Sequence, residues 1–250
     1  MVLFPITDEK LSATPSAPWP AIQSRLKQTA SDYWLVTQPS HAALAGDLAA
    51  SLHDDLFGPS DKTVARSIAL HDTGWSMDDA EQIQRLRLQP KQKPSSFLDV
   101  SVDRFLQAWT GSIETAAKFA PIGGYLVSRH FERLSLFAEQ RAEAQVEAFR
   151  NREKQRQQKL KARVDRDESS LEGLVDALQF CDALSLYLCC GSSQTVKFEK
   201  PTITVTRKGD ECRLTPSPFR ESKQFSFSAL RHPVVDGKKG QSGATFYLNL

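Results

Sequence analysis

Ser169-Ser-Leu-Glu-Gly-Leu-Val-Asp-Ala-Leu-Gln-Phe-Cys-Asp-Ala-Leu-Ser-Leu-Tyr-Leu-Cys-Cys190, followed by Gly191, is the most apolar run of the chain. Its length and apolar period predict a helix, capped by Ser169 or Ser170 and stopped by Gly191. Beyond Gly191 the period becomes two. Thr202-Ile-Thr-Val-Thr-Arg207, the turn Lys208-Gly-Asp210, Glu211-Cys-Arg-Leu-Thr215, Gln224-Phe-Ser-Phe-Ser228 and Ala244-Thr-Phe-Tyr-Leu-Asn-Leu250 read as three to four short strands. The expected fold class is therefore mainly α: a helical bundle over residues 1–191 with a small C-terminal antiparallel β-sheet, residues 192–250, packed on it.

Upstream of that run the signals are helical. Pro39 suits the first turn of a helix over about 40–52, because its missing N–H costs nothing there. Asp61 or Thr63 can cap the next helix, whose apolar face Val64, Ile68, His71 and Trp75 repeats at helical spacing and which ends near Gly74. Residues 76–96, with Pro90 and Pro94, read as a long, partly irregular connection bordering the site. Two helices follow, about 97–119 and 122–137, divided by Pro121; a polar helical stretch covers 141–168. Residues 1–20 contain Pro5, Pro15, Pro18 and Pro20 and read as an extended lead-in.

Composition narrows the function classes. At 250 residues the chain can bury a sizeable core, and 40% hydrophobic with 25% charged residues is ordinary for a globular protein. A formal charge of +2 produces no global attraction to nucleic acid or membrane. The cysteines Cys181, Cys189, Cys190 and Cys212 lack CxxC spacing and read as buried free thiols of a reducing cytosol. Met1-Val-Leu-Phe-Pro-Ile-Thr-Asp8 has no basic n-region or long apolar stretch, and no segment approaches the roughly 20 apolar residues of a membrane span. These features together predict a cytoplasmic protein. The stretch Arg150 to Arg163 holds seven basic residues against Glu153 alone, which reads as a solvated helix face or an anion- or partner-binding surface. It has no interleaved aromatics, so a nucleic-acid partner is not expected. Gly123-Gly124 is not a phosphate loop, since no Gly-Lys-Ser/Thr follows.

Polar residues on apolar faces mark the candidate site. Asp182 shares its face with Val175, Leu178, Leu186 and Cys189, where an unpaired carboxylate costs several kcal/mol. It needs a salt bridge, a hydrogen-bond network or a metal. His41 lies in a stripe with Ala45, Leu48 and Leu52, and His130 in one with Val127, Leu134 and Phe137. Singly, each reads as a satisfied core histidine. Jointly with His71-Asp72, they form a mixed nitrogen and oxygen set suited to a divalent transition metal. Adjacent helical residues are about 100° apart, so His71 and Asp72 reach one ion only if it sits beside their helix. His53-Asp54 repeats the dipeptide but falls off the stripe and reads as surface, and His232 reads as structural.

The order His41, His71-Asp72, Asp182 resembles the HD superfamily of metal-dependent phosphohydrolases. More closely, Gln38-Pro-Ser-His41-Ala, His71-Asp-Thr-Gly-Trp75, Leu126-Val-Ser-Arg-His130 and Phe180-Cys-Asp182 resemble an uncharacterised bacterial family, a domain of unknown function with an HD-like core, over about residues 33–250. The resemblance implies metal ligation by His41, His71, Asp72 and Asp182, with Gln38 and Trp75 supporting them. The implied cofactor is a divalent transition metal: iron, manganese or zinc. Many HD phosphohydrolases place a basic residue where this chain has Gly74-Trp75, and an indole supplies no charge to a phosphate. His130 or Arg129 can replace it as an extra ligand, a general acid or a phosphate clamp. The expected activity is hydrolysis of a phosphate ester of a small metabolite or nucleotide, with that small phosphorylated molecule as partner. The alternatives are a non-catalytic binding or scaffold protein holding a buried His/Asp network, and a di-iron oxygenase.

Overall fold

The computed structural model describes residues 1–136, 143–234 and 242–250. Its strands and helices run in the order β1 (Val2–Pro5), α1 (Pro18–Leu26), β2 (Asp32–Val36), α2 (Gln38–Ser51), α3 (Asp54–Phe57), α4 (Lys62–Ala69), α5 (Ser76–Leu88), α6 (Val102–Phe119) and α7 (Pro121–Ser135). Then come α8 (Glu143–Lys161), α9 (Glu168–Cys189), β3 (Val196–Glu199), β4 (Thr202–Lys208), β5 (Glu211–Thr215), β6 (Gln224–Pro233) and β7 (Gly243–Asn249).

The sheet corrects the expected fold class. Among the described residues it has seven strands in the order β1-β2-β6-β7-β5-β4-β3, and β5 pairs with β7 in parallel, so it is neither small, nor C-terminal only, nor purely antiparallel. An all-helical bundle with a small β appendage is therefore replaced by a helical layer on a mixed sheet. The overlooked strands are β1, β2 and the four-residue β3. β1 is four residues long with three of them buried, so it shows no alternation, and its Pro5 sits on an edge strand where proline is tolerated. β2 is five residues, Asp-Tyr-Trp-Leu-Val, and gains its place by pairing Trp34 with Arg231 and Leu35 with Leu230. No local period announces a partner so distant in sequence.

The helical side follows local rules more closely. Thr37 caps α2 by accepting the Ser40 N–H, with Pro39 in the first turn, and Asp61 caps α4 by accepting the Val64 N–H. Asp167 caps α9, two and three residues before Ser169 and Ser170, the caps proposed from sequence. Residues 76–88 are helical in place of the expected irregular connection. Buried Asp79 of that helix accepts the Gln38 N–H at 2.6 Å and pairs with the Met1 amine at 2.9 Å, tying α5 to the start of α2. Helices α2, α4, α7 and α9 pack against one another as α2 on α4, α2 on α9, α4 on α7 and α7 on α9, and their shared interior is the site. Phe137, expected on the His130 stripe, lies outside the described residues.

Candidate metal centre

The stripe Val64, Ile68, His71 and Trp75 is buried as expected, but the helix stops at Ala69 and His71-Asp72 occupy the turn that follows. A short 3-10 turn, Thr73–Trp75, leads into α5. The chain leaves the α-helix here because Gly74 is pressed onto α6. A Cβ at that position would lie 1.9 Å from the Ala108 carbonyl oxygen, so only glycine fits. This break solves the angular problem of the dipeptide. Outside the helix, His71 and Asp72 are free of the helical rotation between neighbours and both face the same interior. A second glycine, Gly46, lets α2 approach α4 closely, since a Cβ there would meet the Ala69 Cβ at 2.5 Å. The ring centroids of His41 and His71 consequently lie 5.2 Å apart.

The structure brings all four proposed ligands and His130 together, all buried. His41 Nε2 lies 2.9 Å from Asp72 Oδ2, and His71 Nε2 lies 3.2 Å from Asp182 Oδ1 and 3.9 Å from Asp72 Oδ2. His41, His71 and Asp182 each offer a ligand atom within 4.8 Å of the other two. A tetrahedral ion with bonds of roughly 2.0–2.2 Å sets its ligand atoms about 3.4 Å apart, which these separations bracket.

Hydrogen bonds orient both imidazoles. The Ile68 carbonyl can only accept, so His71 Nδ1–H donates to it at 2.8 Å. Ser185 Oγ spends its single proton on the Asp182 carbonyl at 2.9 Å, so His41 Nδ1–H donates to Ser185 Oγ at 3.0 Å. In both rings the remaining nitrogen, Nε2, therefore points at a carboxylate oxygen. A lone pair facing a carboxylate is repulsive, so each contact requires either a proton between the two atoms or a metal ion bound to both. Ser185 and the Ile68 carbonyl were not singled out from sequence. The signal for Ser185 was present, since it is a polar residue one turn beyond Asp182 in the same apolar run.

Electrostatics separates the histidines. Burial pushes the His71 imidazole down, but Asp72 and Asp182 more than offset this and raise it to about 9. Burial raises Asp182, yet the hydrogen bond from His71 and the three neighbouring imidazoles bring it down to about 2. His130 is different: burial dominates and lowers it to about 4. Among the described residues neither of its ring nitrogens has a hydrogen-bond partner, and Nε2 stands 3.5 Å from Asp182 Oδ2.

The other named residues sit apart from the cluster. The Arg129 guanidinium is engaged by Glu132 and by both oxygens of Glu172. Trp75 packs edge-on against Phe105 at 5.4 Å, and the Gln38 side-chain oxygen is buried without a partner. His53 is the N-cap residue of α3 and His232 Nε2 contacts the Gln92 carbonyl at 2.9 Å, so neither joins the site. The cysteines are buried and unbridged.

Fold and site together define a class: proteins with a His/Asp centre buried in a helical layer over a mixed sheet. The chain belongs to the family described as "Protein of unknown function (DUF3891)", which matches residues 26–231 and so includes all five centre residues. No curated protein and no solved structure matches the chain.

Proposed function

We propose that the cluster holds a divalent transition metal, iron, manganese or zinc, in an HD-like arrangement, and that this cytoplasmic protein hydrolyses a phosphate ester of a small metabolite or nucleotide. The observation that carries the reading is the pair of Nε2 atoms aimed at carboxylates, each with its Nδ1–H already donated elsewhere. His41, His71, Asp72 and Asp182 hold the ion. A bound ion supplies Lewis acidity toward a phosphate oxygen and acidifies a water. His130, kept neutral by burial, is placed to take up or release a proton at Nε2 next to Asp182. Arg129 acts through position, because its bonds to Glu172 fasten α7 to α9. Among the described residues no helix is long and apolar enough to cross a membrane.

A second reading rests on the same contacts. With His71 raised to about 9, its second proton bridges to Asp182 in neutral solution, and the network is satisfied by protons as a binding or scaffold core. Elemental analysis of the purified protein separates the two. The metal reading expects stoichiometric iron, manganese or zinc that is lost in His71→Ala and Asp182→Ala, together with turnover of a phosphomonoester panel. A metal-free protein that stays folded and inert supports the proton network.

A further inference from the structure

One buried charge far from the His/Asp centre has no counter-ion among the described residues. Arg25 of α1 is 3% exposed. Its terminal nitrogens donate to the Pro5 carbonyl at 2.8 Å, the Thr7 carbonyl at 3.2 Å and the Gln28 side-chain oxygen, while Nε has no partner. All its acceptors are neutral. The carboxylate whose field reaches it, Glu9, is already committed to the Ser192 hydroxyl and the Ser193 N–H. A guanidinium taken out of water without an anion is costly and leaves a positive potential at the nearest opening.

Next to Arg25 lies a polar groove of about 370 Å³ between the N-terminal segment and α1. Thr7 and Gln28, two of the groups that hold Arg25, line it with Asp8, Lys10, Ser24 and Thr29. Lys93 adds an ammonium at its edge, 3.3 Å from the Thr29 hydroxyl. We propose that this groove binds a phosphate group, free or carried on a small hydroxylated molecule. Lys10 in the lining and Lys93 at its edge carry charged donors, Thr7, Ser24, Gln28 and Thr29 of the lining carry hydroxyl or amide donors, and Arg25 is hydrogen-bonded to two of these lining residues. A tetrahedral oxyanion accepts from several such donors at once. Asp8, the one acid of the lining, is an acceptor for a hydroxyl of the carrier.

The site is independent of the metal centre, so its test is run on full-length protein in the presence of a chelator. Calorimetric titration with inorganic phosphate, and separately with methyl phosphate, is expected to show saturable one-site binding in the millimolar range. Each of the exposed-lysine variants Lys10→Ala and Lys93→Ala weakens it about tenfold, the loss of one charge-assisted hydrogen bond. Equal binding of both probes assigns the groove to a carried phosphate, and binding of inorganic phosphate alone assigns it to the free ion. No saturable binding, or binding unchanged in both lysine variants, overturns the proposal. Because both lysines are exposed, these variants keep the test valid even if Arg25→Gln fails to fold.

Discussion

At the scale of single residues, His130 is the side chain whose surroundings are least balanced. It is 1% exposed, neither nitrogen has a hydrogen-bond partner among the described residues, and burial keeps it neutral. Leaving a buried polar group unpaired costs about 1–3 kcal/mol, and an apolar replacement of similar shape removes that cost. His130→Leu is accordingly expected to keep or raise the unfolding midpoint in urea when a chelator is present, and to keep bound metal while losing turnover of the phosphomonoester panel. Marked destabilisation under chelation, with turnover unchanged, counts against a role for His130 at the centre. Asp182 behaves oppositely. It is held down by His71, His130 and His41, so its removal strands an imidazolium. His71-Asp72 was legible as an anomaly on an apolar stripe. Its working geometry was not, because the helix break beneath it is imposed by the backbone of α6 against Gly74.

Among elements, the contact between α7 and α9 carries the clearest pH signature. Glu172 of α9 accepts hydrogen bonds from Arg129 and Arg133 of α7, and these bring its carboxyl from 4.5 to about 2 against the opposing effect of burial. The folded value lies below the unfolded one. The stability it contributes is therefore complete above the ordinary value of 4.5 and is lost as pH falls through about 2. Urea unfolding of wild type and Glu172→Gln is expected to differ near neutral pH, with the difference shrinking steadily across that acid window. A difference that is constant with pH contradicts the ion-pair account. Residues 150–163, a basic helix by sequence, are less available than their charge suggests: Arg152 and Arg156 pair with buried Glu153, and Lys161 pairs with Glu168. Glu153 in turn accepts from the Ser128 hydroxyl and docks α8 on α7.

For the whole molecule, the seven-stranded sheet joins the two ends of the chain. β2 lies between β1 and β6, so its removal exposes the backbone edge of β6 along with the apolar face under Tyr33 and Leu35. A chain beginning at residue 37 is expected to lose its cooperative thermal transition and to aggregate. A sharp melt near the wild-type temperature, followed by circular dichroism, would falsify that expectation. What the sequence determined alone is local: a helix opened by Pro39 and one capped by Asp61, the apolar run ending before Gly191, the β4–β5 hairpin, and ionisable residues on apolar faces. These follow from side-chain periodicity and backbone hydrogen-bonding needs within a few residues. Tertiary structure alone decided that Val2–Pro5 and Asp32–Val36 are strands, that Ser185 and the Ile68 carbonyl orient two imidazoles, and that Arg25 lies buried without an anion. Each depends on partners across the chain, and a contact between distant segments leaves no period in either of them.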